Sequence, residues 1–243
     1  LPVLVSSALS KAGETDAYKF TARAGQTLVF DLAGKSAGSK IDGVLKVLDE
    51  SGRVLATSNN ASGDEPMLAH RFARDGTFSV TVSDHQMTGG PEHHYRLVIG
   101  ELPWVTGAFP PSVPANAETE VELIGHNLPS EPAGRRVRVK TEGPGEVTVP
   151  LDAEKYRSRR TLKLVVSADA HAVEAEPNDT FEQAQAASVP VSFNGRIGKP
   201  GDADLVRFEA KAGQVFIIET QAGVGRRGGD APRRSCIANG EER

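Results

Sequence analysis

Residues 13–32 read GETDAYKFTARAGQTLVFDL, and residues 201–220 read GDADLVRFEAKAGQVFIIET. The two segments align without a gap at an offset of 188 residues, and most of their differences exchange similar side chains. Identical residues stand at seven positions: Gly13/Gly201, Asp16/Asp204, Phe20/Phe208, Ala22/Ala210, Ala24/Ala212, Gly25/Gly213 and Gln26/Gln214. Such repetition is typical of extracellular multidomain proteins. Residue 1 aligns with residue 189, so we expect the chain to begin partway into its first domain.

Length and composition limit the classes of protein to consider. A chain of 243 residues has room for about two domains. Its net charge of −4 provides no basic field to concentrate nucleic acid, so we expect no nucleic-acid partner. A single cysteine, Cys236, excludes an internal disulfide framework. No apolar run approaches the ~20 residues that span a bilayer, and no secretory signal opens the sequence.

Short alternating segments predict an all-β chain. Within residues 1–102 the clearest strands are separated by Gly, Asp, Asn and Ser turns, a spacing that favours a β-sandwich. These strands are Tyr18–Thr21, Thr27–Leu32, Val44–Leu48, Arg53–Ala56, Thr77–Val82 and Tyr95–Ile99. Five aromatic residues fall on or beside strand positions, and we expect them to form the core: Phe20, Phe30, Phe72, Phe78 and Tyr95.

Residues 103–168 predict a second, smaller β unit. Prolines interrupt its start at positions 103, 110, 111 and 114, which indicates a linker or the edge of a sheet because proline cannot donate to a ladder. Four further strands follow, at Glu120–Ile124, Arg136–Lys140, Glu146–Val149 and Thr161–Val166. Arginines make this unit locally basic. We favour a solvated face over a site for an acidic polysaccharide.

The remaining residues divide into three segments. Residues 169–188 are an acidic linker with a short helix expected at Thr180–Ala187, capped by Asp179 and Glu182. Residues 189–222 are a partial second copy of the repeat. Residues 223–243 contain five arginines and no apolar alternation, which predicts a disordered basic tail. The sudden loss of register suggests a shifted or truncated reading frame, which resequencing the locus would test.

The repeated segment resembles the bacterial pre-peptidase C-terminal (PPC) domain. The resemblance rests on DAYKFTARAGQ at residues 16–26, DLVRFEAKAGQ at residues 204–214, and EPNDT at residues 176–180, which is similar to the signature that opens such domains. The middle unit resembles the IPT/TIG immunoglobulin-like fold through VELIGHNL at residues 121–128. Together they imply a jelly-roll-like β-sandwich, a small immunoglobulin-like sandwich and a partial second sandwich.

The resemblance also implies a function. PPC-like domains are appended to secreted bacterial proteins, often beside a protease, and are generally not catalytic. We therefore expect a secreted or cell-envelope accessory module that docks or spaces a larger protein on an extracellular protein or polysaccharide. Two alternatives are the targeting domains of a secreted protease and a calcium-stiffened structural stalk. No G-x-S-x-G elbow, H-E-x-x-H motif or glycine-rich phosphate loop is present, so we expect no enzymatic activity.

Acidic residues near the second copy predict a calcium site. Side chains at alternate positions of an extended segment project to one side, and calcium takes six to eight oxygen ligands in irregular geometry. The same ligands are implied by the resemblance, since some collagen-binding relatives bind calcium through the E-x-N-D segment. The candidate set is Glu174, Glu176, Asn178, Asp179, Asp202 and Asp204. The alternative is a set of solvated charges, a helix cap and turn formers.

A second metal hypothesis concerns the histidines near residue 90. Imidazole and carboxylate groups ligate zinc, which brings His85, His93 and His94 into consideration with Asp84 and Glu92. Adjacent histidines on a strand point to opposite faces, so we favour a polar loop there over a zinc site.

Overall fold

The computed structural model describes residues 1–59 and 65–221, together with the backbone of residues 237–238. These residues form two compact units. The first unit contains Leu1–Trp104, Gly125–Leu128 and Lys155–Arg157, and the second contains Val105–Ile124, Pro129–Glu154 and the described residues from Ser158 onward. Apart from the two-residue strand, the predicted tail lies outside the described residues. Within the described ranges, no helix has the length and apolarity needed to cross a bilayer.

The first unit is a β-sandwich of eight strands. Their bounds are β1 Val3–Ala8, β2 Thr15–Ala22, β3 Thr27–Ala33, β4 Gly43–Leu48, β5 Val54–Asn59, β6 Met67–Arg71, β7 Gly76–Asp84 and β8 His94–Gly100. They form two four-stranded sheets in the orders β1-β8-β3-β6 and β2-β7-β4-β5. All pairings are antiparallel. Eight strands in two such sheets are a jelly-roll arrangement, so the predicted all-β, jelly-roll-like fold is confirmed.

The core of this unit follows from the alternation along its strands. In β7 the buried positions are every second residue, Phe78, Val80 and Val82, because successive side chains point to opposite faces of a sheet. Four of the five predicted core aromatics belong to the buried cluster between the sheets, and the fifth, Phe20, is partly buried and packs against it. The rings of Phe72 and Phe78 lie 4.5 Å apart. Full burial of each such side chain contributes about 1.5–3 kcal/mol.

The same turn follows the second strand of the repeat in both copies. Gly25 and Gly213 have positive φ values of 80° and 81°, which the third position of a type II turn requires. In the first copy Gln26 Oε1 accepts a hydrogen bond from the backbone N–H of Arg23 at 3.0 Å. In the second copy Gln214 Oε1 accepts from Lys211 N–H at 2.8 Å. The identical Ala-Gly-Gln residues therefore reproduce identical local hydrogen bonding.

For strands β9–β14 we keep the name immunoglobulin-like part, which the sequence resemblance suggested. Its strands are β9 Trp104–Phe109, β10 Ser112–Pro114, β11 Glu118–His126, β12 Arg136–Lys140, β13 Gly145–Thr148 and β14 Lys163–Ser167. They form two three-stranded sheets, in the orders β12-β11-β9 and β10-β14-β13. The proline-rich stretch forms β9 and β10, and β10 is an edge strand, the place where a proline is tolerated.

The PPC-like segment of the second unit, residues 170–221, pairs its short strands mostly in parallel. Its strands are β15 Ala170–Val173, β16 Gln185–Ala186, β17 Val191–Asn194, β18 Val206–Arg207 and β19 Phe216–Ile217. β15 pairs with β17 in parallel, and β16 pairs with β18 in parallel. β19 pairs with the two-residue strand β20, Ile237–Ala238. Three of these strands, β17, β18 and β19, align with β1, β2 and β3 of the first copy.

The helix predicted at Thr180–Ala187 is wrong. The chain makes one turn there, with Gln183 N–H donating to Thr180 O at 3.0 Å, and then enters β16. The Asp179 carboxylate accepts from Ala203 N–H at 3.2 Å, so it does not cap a helix. Pairing of β16 with β18 supplies backbone hydrogen bonds that a short isolated helix lacks, and tertiary context thus overrides the local propensity.

Candidate functional site

Three carboxylates from two distant stretches of sequence converge in the PPC-like segment. We call Glu174, Glu176 and Asp204 the acidic triad: one oxygen from each lies within 4.8 Å of the others. Glu174 follows β15, whose parallel partner β17 leads toward the stretch that carries Asp204. In the described part of the chain, this is the sole group of three or more His, Cys, Asp or Glu side chains that approach so closely.

A buried amide oxygen without a partner adjoins the acidic triad. Asn178 is completely buried, and its Nδ2 donates to Asp204 Oδ1 at 3.4 Å. Its Oδ1 accepts no hydrogen bond from any described residue, a state that costs about 1–3 kcal/mol. Rotation of the amide by half a turn exchanges its oxygen and nitrogen. That rotation places the oxygen where Nδ2 now faces Asp204, and there it would serve as a ligand to a divalent cation.

The surroundings of Glu174 disfavour its ionised form and raise its pKa. Burial raises the pKa of Glu174, and repulsion from Asp204 and Glu176 raises it further. The backbone N–H of Arg196 donates to Glu174 Oε2 at 2.7 Å, which opposes the rise without cancelling it. Three carboxylates and an amide oxygen supply hard ligands, and calcium takes its remaining ligands from backbone carbonyls and water.

The glycine between β17 and Arg196 makes room for the acidic triad. A Cβ atom at Gly195 would lie 2.9 Å from Glu174 Oε2 and 3.0 Å from Asp204 Oδ2. Both distances are too short for a methyl group to be added without moving the carboxylates. Gly195 aligns with Ser7 of the first copy. This replacement of serine by glycine is the signal in the sequence that could have pointed to the close approach.

The structure divides the predicted ligand set in two. Asp179 and Asp202 gather around Lys199, whose Nζ lies 3.1 Å from Asp179 Oδ2 and 3.8 Å from Asp202 Oδ1. Hydrogen bonds from Ala203 N–H and Lys199 lower the pKa of Asp179. These two carboxylates are therefore neutralised by a lysine rather than grouped with the acidic triad. An open cleft of about 390 Å³, lined by Glu176, Pro177, Gly198, Lys199 and Asp202, leads from solvent to Glu176.

Two of the three histidines considered for zinc, His93 and His94, have other hydrogen-bond partners. Thr88 Oγ1 and His93 Nε2 lie 3.0 Å apart, and His94 Nε2 lies 3.3 Å from Ala37 O. Burial opposes ionisation of Asp84, but N–H donors including those of Asp42, Thr88 and Gln86 outweigh it and lower its pKa. Asp84 thus organises its own loop, in agreement with the polar-loop interpretation.

The basic stripe of the immunoglobulin-like part is paired with an acidic one. β12 places Arg136, Arg138 and Lys140 on its exposed positions, and β11 runs antiparallel beside it. Arg136 Nη1 lies 2.9 Å from Glu120 Oε2, and Arg138 Nη1 lies 3.5 Å from Glu118 Oε1. The arginines are therefore neutralised across the strands, which reduces the field available to attract an acidic polysaccharide.

Comparisons with known proteins give partial similarities in both sequence and structure. No protein-family model matches the chain. A stretch of 74 residues is 31% identical to a probable subtilase-type serine protease of Deinococcus radiodurans, and it covers 30% of this chain and 10% of that protein. The pre-peptidase C-terminal domain of a collagenase from Bacillus anthracis aligns at 17% identity with a TM-score of 0.34, covering 41% of this chain and 90% of the domain.

Proposed function

We propose that this chain is a non-catalytic accessory module of a larger secreted bacterial protein, and that its PPC-like segment is stiffened by bound calcium. The observation that carries the calcium proposal is the convergence of three carboxylates, one of which, Asp204, contacts the buried Asn178, whose Oδ1 lacks a donor. Calcium relieves both problems at once, because it neutralises the repulsion that raises the pKa of Glu174 and gives the amide oxygen a partner.

Calorimetric titration of the chain with calcium chloride tests the site. We expect the parent to bind calcium, and binding at 100 times the dissociation constant should add ~2.7 kcal/mol to the stability of the second unit. That gain corresponds to several degrees in its melting midpoint. The variant Glu174→Gln, Asp204→Asn keeps the shape of the side chains but removes two negative charges, so we expect it to show neither heat nor shift.

A matched control uses the other acidic pair. The variant Asp179→Asn, Asp202→Asn removes the same number of charges from the group around Lys199 and should leave calcium binding largely intact. If the control loses calcium binding and the triad variant keeps it, the ligands are Asp179 and Asp202, and the acidic triad is not the calcium site. An absence of calcium-dependent heat in the parent would end the calcium proposal.

We further propose that the module docks a secreted protease on its substrate. The segment that is 31% identical to part of a probable subtilase-type serine protease supports this association. Fusing the chain to a subtilase catalytic domain tests it. The fusion should cleave an insoluble protein faster than the catalytic domain alone, while both cleave a soluble peptide at the same rate. Equal rates on the insoluble substrate would favour a purely structural stalk.

A further inference from the structure

Residues 194–196 contact both the acidic triad and the immunoglobulin-like part of the second unit. The first of the three, Asn194, is buried at the end of β17. Its backbone O accepts from Glu174 N–H at 2.9 Å. Its Oδ1 accepts from the backbone N–H of Ser112 at 3.0 Å and from the Ser112 hydroxyl at 2.8 Å. Ser112 lies in β10, so Asn194 joins the triad to one immunoglobulin-like sheet.

Arg196 makes the corresponding contact with the other sheet. Its guanidinium carbon lies 3.7 Å from the centre of the Phe109 ring in β9. Its Nη2 donates to Glu122 Oε2 in β11 at 2.9 Å, and this hydrogen bond is the main reason that the pKa of Glu122 is lowered. The guanidinium therefore makes two contacts with this sheet, a cation–π contact with an aromatic face and a charge-assisted hydrogen bond.

The backbone of the same three residues lies beside the carboxylates of Glu174 and Asp204. Arg196 N–H donates to Glu174 Oε2 at 2.7 Å, and Gly195 packs where any Cβ would press on Glu174 and Asp204. Movement of the Glu174 carboxylate therefore acts on this backbone through the Arg196 N–H hydrogen bond. Close-packed contacts of this kind transmit displacement because they leave no free space to absorb it.

We propose that residues 194–196 couple cation binding at the acidic triad to the two immunoglobulin-like sheets, with Arg196 as the positioning residue. The inference rests on the proposed calcium site and adds that calcium binding there stabilises the contacts with both sheets. Calcium would fix Glu174 and Asp204, and through them hold Asn194 on β10 and Arg196 on β9 and β11. The module would thereby become one stiff element from the immunoglobulin-like part to the PPC-like segment.

Hydrogen exchange with and without calcium tests the coupling. In the parent, calcium should slow exchange at residues 174–178 and also at residues 109–122, the latter by about 5-fold or more, the lower end of typical coupling. The variant Arg196→Met keeps the backbone N–H that bonds Glu174 but loses the guanidinium. At saturating calcium, confirmed by titration, residues 174–178 should still be protected, and so should Ser112, which Asn194 still holds, whereas residues 118–122 of β11 should no longer respond.

Linkage supplies a second readout. If binding at the triad stabilises the contacts of Arg196, removal of those contacts must weaken calcium binding by the same factor. Glu122→Gln, which removes the partner charge without deleting the side chain, should have the same two effects and serves if Arg196→Met does not fold. Arg207→Met, at an exposed arginine of the same segment, is the matched control and should behave as the parent.

Each outcome separates the coupling from the site. Calcium binding that protects residues 174–178 but not residues 109–122 in the parent would refute the coupling and leave the calcium site standing. A response at residues 118–122 that persists unchanged in Arg196→Met and Glu122→Gln would refute the role of Arg196. If the parent binds no calcium, the proposed site and the coupling both fail.

Discussion

Asp16 and Asp204 occupy the same position of the repeat, but their carboxylates have opposite kinds of neighbours. Asp16 accepts hydrogen bonds from the Tyr95 hydroxyl and from the Ser7 hydroxyl at 3.2 Å. Asp204 instead faces two other carboxylates. The aligned residue of Ser7 in the second copy is Gly195. One copy therefore satisfies its aspartate with hydroxyl groups, whereas the other concentrates negative charge.

Tyr95→Phe should destabilise the first unit. Tyr95 is buried, and its hydroxyl donates to Asp16 and lies 2.6 Å from the Tyr18 hydroxyl. Removing a hydrogen bond to a charged group costs about 1–3 kcal/mol. The measurement is urea unfolding followed by the fluorescence of Trp104, the single tryptophan of the chain, which is buried in this unit. An unchanged midpoint would show that Asp16 is satisfied without Tyr95.

The raised pKa of Glu174 predicts how stability depends on pH in the absence of metal. Because the folded pKa lies above the unfolded value, folding favours the protonated form. The stability that Glu174 contributes is full below its unfolded pKa, about 4.3, and is lost as pH rises through the folded pKa. In metal-free buffer between about pH 4 and 7, the parent should therefore lose more stability than Glu174→Gln.

Circular dichroism melts check this pH dependence. The second unit has no tyrosine or tryptophan among its described residues, so the backbone signal is the suitable probe. Calcium should reverse the order at pH 7, since it stabilises the ionised carboxylate of the parent and finds one negative charge fewer in Glu174→Gln. Parallel pH profiles for the two proteins would contradict the charge repulsion within the triad.

Gly195→Ala should weaken calcium binding without unfolding the chain. The added methyl group would press on Glu174 and Asp204 and force these ligands apart. Changes that reorient metal ligands typically reduce affinity by roughly 10–100-fold. Gly107→Ala is the control, because a Cβ there has no neighbour within 4 Å. Calcium titration of both variants gives the comparison, and equal affinities would show that the triad does not depend on this close approach.

Equivalent positions of the repeat should differ in their contribution to stability. Phe30 is 0% exposed, whereas its counterpart Ile218 is 43% exposed. Phe30→Ala should cost about 3–5 kcal/mol because it leaves a cavity between the sheets. Ile218→Ala should cost about 1 kcal/mol or less. Urea unfolding, followed by Trp104 fluorescence for the first variant and by circular dichroism for the second, measures both losses. Similar losses would mean that Ile218 is packed as Phe30 is.

Period-two alternation predicted most strands of the first unit because a half-buried strand must alternate. β4 and β7, for example, were predicted within two residues of their observed ends. β1 and β6 were missed, since VLVSSA at the edge of a sheet and the five-residue MLAHR carry too little pattern. The helix predicted at residues 180–187 failed for a different reason. Its propensity was local, while the competing pairing of β16 with β18 joins residues about twenty positions apart.

The sequence predicted which residues belong to the candidate site, but it did not predict which of them lie close together in space. The sequence identified all three residues of the acidic triad, together with Asn178. It also grouped Asp179 and Asp202 with them, because spacing along the chain gives no information about Lys199. The roles assigned to Gly195 and Arg196 were not anticipated, since a glycine and an exposed arginine have no ligand chemistry of their own.

The sequence by itself determined the all-β class and the local turns of both copies, because alternation and the Ala-Gly-Gln residues act over a few positions. Only the tertiary structure decided which carboxylates meet. Glu174 and Asp204 are thirty residues apart, and they come together because β15 pairs with β17 and β16 pairs with β18. Charge repulsion, burial and ligand geometry depend on distances in space, and those distances exist only after the strands have paired.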